Sequence, residues 1–234
     1  RDVGLSSKVG GKVNLMAGIV GMTGSAAYDL NDMAADAIGL MDQLGIERAH
    51  LVGASMGAMI AQTVAATAPH RTLSLCSIMA GTGKRKITTL PRLGVLPVLF
   101  GSAPESREAF IETSVVTFDK IGSPDYPPDS DRIRERAARS YDRCFYPPGT
   151  ARQLMAVLAS GDRTDQLARI EAPAVVIHGC EDPLVPERAG RDTAEAIPGA
   201  DYQPIEGMGH DLPEELWPEL LRLIVANMRS ATPA

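Results

Sequence analysis

A serine, an aspartate and a histidine, far apart in the chain, could together activate a hydroxyl. Ser55 sits in Gly53-Ala54-Ser55-Met56-Gly57, which matches the pattern G-x-S-x-G. The flanks give the pattern its meaning. The apolar run Ala49 to Ala54 precedes it, and a small-residue helical stretch, Met56 to about Ala68, follows it before Pro69. In so tight a strand-to-helix turn the neighbouring side chains would clash, so small residues are expected on both sides. The turn lifts Oγ above the sheet edge and leaves the Met56 N–H at a helix N-terminus, aimed at developing negative charge. The plainer alternative is a turn in which Ser55 merely caps the helix.

A serine hydroxyl needs a base to take its proton, and that base needs an orienter. In this architecture the partners follow in the order Ser, acid, His. The chain has 4 histidines, of which only His210, in the Gly-rich stretch Glu206-Gly207-Met208-Gly209-His210-Asp211, lies beyond a suitable acid. Asp182 is the preferred acid, just past the apolar strand Ala174–Gly179 and followed by Pro183. Strand ends of this kind are where open α/β sheets place chemistry. The adjacent Glu181 is its rival; a shorter arm and a stiff Asp-Pro turn favour Asp182. His50, at a strand start, and His178, inside a strand, read as hydrogen-bonded structural residues. Neither has a second histidine or carboxylate at ligand spacing, so no metal and no cofactor are expected.

These residues need a scaffold, and the chain alternates strand and helix around them. Residues 1–30 are Gly-rich and aperiodic and read as loop. A helix with Asn31 as N-cap follows, with Met33, Ala34, Ala37, Ile38, Met41 and Leu44 on one face and Gly45 after its end. Ala49–Ala54 and Leu73–Met79 read as buried strands flanking the serine's helix, a unit that implies a parallel sheet. From 84 to 163 the alternation lapses into helix-like segments, about 104–120, 130–144 and 150–160, broken by prolines. It resumes with strand Ala174–Gly179, a helix near 186–196, a strand near 201–205 and a helix from about Pro213 to Met228. The expected organisation is a core of 1–83 and 164–234 carrying a helical lid of 84–163.

Composition excludes several classes. The 234 residues carry 23 basic and 29 acidic side chains, a net charge of −6, which argues against a surface for phosphate backbones. No apolar stretch reaches the ~18–20 residues that span a bilayer. Cys76, Cys144 and Cys180 are few, odd in number and dispersed, so a reducing cytoplasm is expected. The first residue is Arg1, not Met, and no signal-peptide pattern precedes the body.

Taken together, His50-Leu51-Val52-Gly53-Ala54-Ser55-Met56-Gly57, Val176-Ile177-His178-Gly179-Cys180-Glu181-Asp182-Pro183 and Gly207-Met208-Gly209-His210 resemble the α/β-hydrolase superfamily. The opening Arg1-Asp2-Val3-Gly4-Leu5-Ser6-Ser7 is similar to its loop after the fourth strand. The chain looks most like bacterial aclacinomycin methylesterase-like hydrolases. The resemblance implies an α/β-hydrolase fold, with Ser55 as nucleophile, Asp182 as orienter, His210 as base and the Met56 N–H as an oxyanion donor. It also implies four strands ahead of the opening loop and a His-Gly loop with a second donor. Neither stands in this sequence, so an N-terminally truncated sheet and no identifiable second donor are expected.

The expected function is hydrolysis of a carboxylic ester, a short to medium acyl or methyl ester, through an acyl enzyme. Cofactor-free perhydrolysis is the alternative on the same residues. An impaired ligand-binding or interaction module that keeps the triad is the other. Leu90, Leu93, Val95, Leu96, Val98, Leu99 and Phe100 are candidate pocket wall, favouring an apolar substrate group. With its usual neighbour absent, strand 49–54 would expose a free edge. Residues 8–30 could cover it, or two chains could meet there; a homodimer is the expectation.

Overall fold

The computed structural model describes residues 1–231. Residues 232–234, the end of the expected core segment, lie outside the described residues. Four strands form one parallel sheet in the order β1 (Ala49–Ala54), β2 (Thr72–Ile78), β3 (Ala174–Gly179) and β4 (Asp201–Ile205). Helices α1 (Leu15–Ile19) and α2 (Leu30–Gln43) precede the sheet, and α3 (Met56–Thr67) joins β1 to β2. Between β2 and β3 come α4 (Leu96–Phe100), α5 (Arg107–Ile121), α6 (Ser130–Arg143), α7 (Pro147–Ser160) and α8 (Thr164–Leu167). Helix α9 (Glu187–Ala196) joins β3 to β4, and α10 (Trp217–Ser230) follows the sheet. This is an α/β fold, a parallel sheet with flanking helices.

Strand β3 shows why its sequence is a continuous apolar run. Ala174 and Val176 pack with Ala61 and Ala65 of α3, Leu167 of α8 and Ile197 beyond α9. Val175 and Ile177 point the other way, onto Leu220 and Leu223 of α10 and Met208. Both faces are covered, so the strand reads as an apolar run from Ala174 to Ile177. Strand β1 differs. It pairs only with β2 among the described residues, and Val52 is 46% exposed. The expectation of a buried strand is corrected here, because β1 is the outer strand.

Two other expectations change. The N-cap of α2 is Asp29, not Asn31; its carboxylate accepts from the Asn31 and Asp32 N–H groups, and Asp32 returns a bond to the Asp29 N–H. This reciprocal box satisfies more orphan donors than Asn31 could. The 1–30 segment is not all loop. Asn14 caps the short helix α1, whose buried Gly18 seats against Met155 and Leu158 around α7. A Cβ at Gly18 would come within 2.8 Å of Met155, so glycine permits the approach. No backbone hydrogen bond joins residues 8–30 to β1.

Segment 84–163 contains helices and no strand among its described residues. Helices α5, α6 and α7 fall where proline punctuation placed them. Arg152 of α7 forms a buried ion pair with Asp2, Nε to Oδ2 at 2.8 Å, and the same carboxylate accepts from Tyr28 Oη and the Val9 N–H. Arg163 reaches back to the Gly81 carbonyl at 2.6 Å and to Gln62 at 2.9 Å. Among the described residues no helix is long and apolar enough to cross a membrane.

Candidate active site

Strand β1 ends at Ala54 and α3 begins at Met56, so the whole turn is Ser55. Its backbone has φ 53° and ψ −124°, a region that side chains ordinarily avoid. Packing holds it there. The Ser55 N–H donates to the Ile78 carbonyl at 2.9 Å, and Gly53 lies so close to the new helix that a Cβ would sit 2.3 Å from the Gly57 oxygen. Gly57 itself faces open space, so the expected crowding exists on one side of the serine only. The Ser55 side chain does not cap α3.

Its Oγ instead lies 2.9 Å from His210 Nε2. His210 Nδ1 lies 2.6 Å from Asp182 Oδ2, and the other carboxylate oxygen accepts from the Leu184 and Val185 N–H groups at 2.9 and 2.8 Å. Asp182 can only accept, so Nδ1 carries the proton and Nε2 is left as acceptor for the serine hydroxyl. Asp182 is 1% exposed and His210 7%, so water does not compete for these bonds. Glu181, the rival acid, points outward to Arg92 at 3.7 Å.

Neighbouring glycines bring the Asp182 and His210 loops together. A Cβ on Gly179, at the end of β3, would meet the Met208 carbonyl at 2.3 Å. The Cys180 and Glu181 N–H groups bond the Ile205 and Met208 carbonyls, lacing the two loops. His178 sits fully buried under the acid. Its Nε2 donates to the Val185 carbonyl at 2.7 Å, Nδ1 has no partner, and burial pushes its pKa down. His50 Nδ1 meets Ser74 Oγ at 2.8 Å. Met56 is the first residue of α3, and the first-turn N–H groups of a helix have no intrahelical partner.

Ser55 and His210 open into a cavity of about 440 Å³. Met79, Phe118, Tyr126, Ile133 and Trp217 give it apolar wall, and Arg132, Arg136, Glu214 and Glu215 a charged rim. Arg132 pairs with Glu214 across the mouth, and the Arg136 guanidinium lies 5.6 Å from the centre of the Phe118 ring. Sequence reasoning did not single out these lining residues. For Glu214, Glu215 and Trp217 the one available signal was closeness in sequence to His210. A second cavity, about 770 Å³, shares Phe118 and is lined by Val98, Leu99, Phe110 and Phe145. Leu90 and Leu93, expected as wall, are largely exposed.

A family model described as the alpha/beta hydrolase family matches residues 17–221. The rhodomycin D methylesterase of Streptomyces peucetius is 29% identical over 225 residues, 88% of this chain and 75% of that protein. That of Streptomyces sp. (strain C5) is 30% identical with the same coverage. Among solved structures, the enol-lactonase of Burkholderia xenovorans LB400 matches with a TM-score of 0.68 at 21% identity, over 86% of this chain and 74% of its own; it speaks for the fold.

Proposed function

Since the chain belongs to the alpha/beta hydrolase family and is a hydrolase of that type, we propose that it cleaves carboxylic esters through Ser55, His210 and Asp182. The observation that carries the reading is the unbroken hydrogen-bond chain from Asp182 through His210 to Ser55 at the floor of a partly apolar cavity. Ser55 Oγ attacks the ester carbonyl carbon while its proton passes to His210 Nε2. The Met56 N–H receives the developing oxyanion, an interaction typically worth ~10²–10³ in turnover. Collapse of the tetrahedral species breaks the C–O bond, and the imidazolium returns its proton to the leaving alcohol. Water, deprotonated by His210, then releases the acid and restores the serine.

The relatives act on a methyl ester by name, which supports methyl esters as the substrate class and hydrolysis over perhydrolysis. The apolar wall supports an apolar acyl or alcohol group, with segment 84–163 as its cap. Hydrophobic walls discriminate by only ~1–3 kcal/mol per methylene, so the preference among short and medium chains is graded. The free edge of β1 supports the homodimer, and three unpaired cysteines suit a reducing cytoplasm. A fluorophosphonate probe tests the reading: stoichiometric labelling is expected and must vanish in Ser55→Ala. Labelling that persists in the variant, or a wild-type protein that takes no label and turns over no p-nitrophenyl or methyl ester, overturns it.

A further inference from the structure

Gly209, His210 and Asp211 are each hydrogen-bonded to the turn that ends α5. The His210 N–H donates to the Ile121 carbonyl at 2.7 Å, satisfying an acceptor that a helix C-terminus leaves open. The Gly209 N–H donates to Ser123 Oγ at 2.8 Å, and the same Oγ donates its proton to Asp211 Oδ1 at 2.5 Å. One hydroxyl thus ties the residue before the histidine to the residue after it. The fit is close: a Cβ on Gly209 would stand 2.3 Å from the Gly122 oxygen. Ser123 is 1% exposed, and its hydroxyl donates one of these bonds and accepts the other. Phe118, on the last turn of α5, is also a wall of the cavity over Ser55.

We propose that Ser123 is a positioning residue for His210: its hydroxyl clamps the base loop onto the end of α5 and fixes the imidazole between Asp182 and Ser55. The proposal rests on the role given to His210 above. A buried hydroxyl with no such role could be replaced by alanine at a cost in stability alone. A clamp on the base instead costs turnover, because misplacing a catalytic group by about 1 Å can cost ~10²-fold.

Purified Ser123→Ala and Ser123→Thr are compared with wild type by p-nitrophenyl ester kinetics, thermal unfolding and low-field proton NMR of the His210 Nδ1–H. Ser123→Ala is expected to lower kcat about 10–100-fold with KM within about twofold, and to shift or lose the low-field signal. Ser123→Thr, which keeps the hydroxyl, is expected to restore both. If Ser123→Ala does not fold, Asp211→Ala opens the clamp from its half-buried side and is expected to move the signal the same way. An unchanged signal in either variant, no signal in the wild type, or a loss of kcat that threonine does not restore overturns the proposal. Failure of the ester reading is distinguishable: an inactive, unlabelled wild type sinks that reading, while the NMR signal still tests the clamp.

Discussion

His210 Nδ1 and Asp182 Oδ2 stand 2.6 Å apart while the second oxygen of the same carboxylate accepts two backbone N–H groups. The carboxylate is therefore divided: one oxygen holds its own loop and the other holds the imidazole. Asp182→Asn separates these tasks. The amide oxygen keeps the Leu184 and Val185 bonds, leaving its NH₂ toward His210. An NH₂ cannot accept from Nδ1–H, so the ring shifts to the tautomer protonated at Nε2 and loses its ability to take the Ser55 proton. Turnover should fall on the order of 10⁴-fold with little change in melting temperature. Ester kinetics beside thermal unfolding check this, and activity near wild type would contradict the assigned orienter.

The two glycines around the serine should behave differently. Alanine at Gly53 places a methyl 2.3 Å from a backbone oxygen, where neither side can yield without moving the turn. Gly53→Ala should cost about 1–3 kcal/mol or more of stability and slow phosphonylation of Ser55. Alanine at Gly57 meets nothing within 4 Å, and its place in the first turn of α3 favours alanine over glycine. Gly57→Ala should be neutral or more stable, by up to ~1 kcal/mol. Equal effects from the two substitutions would refute this account of the turn.

The ion pair of Asp2 and Arg152 should make stability fall in acid. Both side chains are at most 3% exposed, and the guanidinium holds the Asp2 carboxyl well below the usual 3.8. A depressed folded pKa contributes stability that is complete above the unfolded value and is lost as pH falls through the folded one. Asp2 has φ 63°, which asparagine also tolerates, so Asp2→Asn removes the charge without new backbone strain. Leaving Arg152 buried and unpaired should cost about 3–5 kcal/mol at pH 7. The gap between variant and wild type should begin to narrow below about pH 4 and go on narrowing as pH falls toward the depressed folded value, read by urea unfolding across pH. A gap independent of pH would show that packing, not charge, holds α7 to the opening loop.

Much of this architecture was legible because local signals agreed with the tertiary outcome. Strand Ala174–Gly179 lies where its apolar run put it, Asp201–Ile205 falls at the strand expected near 201–205, and α6 and α7 lie within a few residues of their proline boundaries. Residue type and chain order singled out Ser55, Asp182 and His210, and the fold brings their side chains into one hydrogen-bonded chain, on which the roles proposed above rest. The rest depended on what sequence distance hides. The exposure of Val52 follows from the place of β1 in the sheet, which no local pattern encodes. Choosing Asp29 over Asn31 as N-cap turned on a return bond from Asp32. Phe118, Arg132 and Ser123 reach the site because α5 and α6 fold over it, and nothing in their own spacing says so.

The open edge of β1 carries the last prediction. Among the described residues β1 pairs only with β2, Val52 on it is 46% exposed, and Leu40 of α2 and Leu44 just past its end are 60% and 63% exposed. Such an edge recruits a second chain or aggregates. Two copies meeting edge to edge would bury it on a twofold axis, with more than ~2,000 Å² expected for an obligate-type interface. Light scattering at micromolar concentration should therefore give about twice 24.8 kDa. Val52→Lys places a charge on the edge strand without touching the cavity of Ser55, and should shift the mass toward monomer. Phosphonylation of Ser55 should continue in that variant, because the Ser55 turn is held from β2 and α3 within one chain. A soluble wild-type monomer, or a dimer indifferent to Val52→Lys, would place the contact elsewhere.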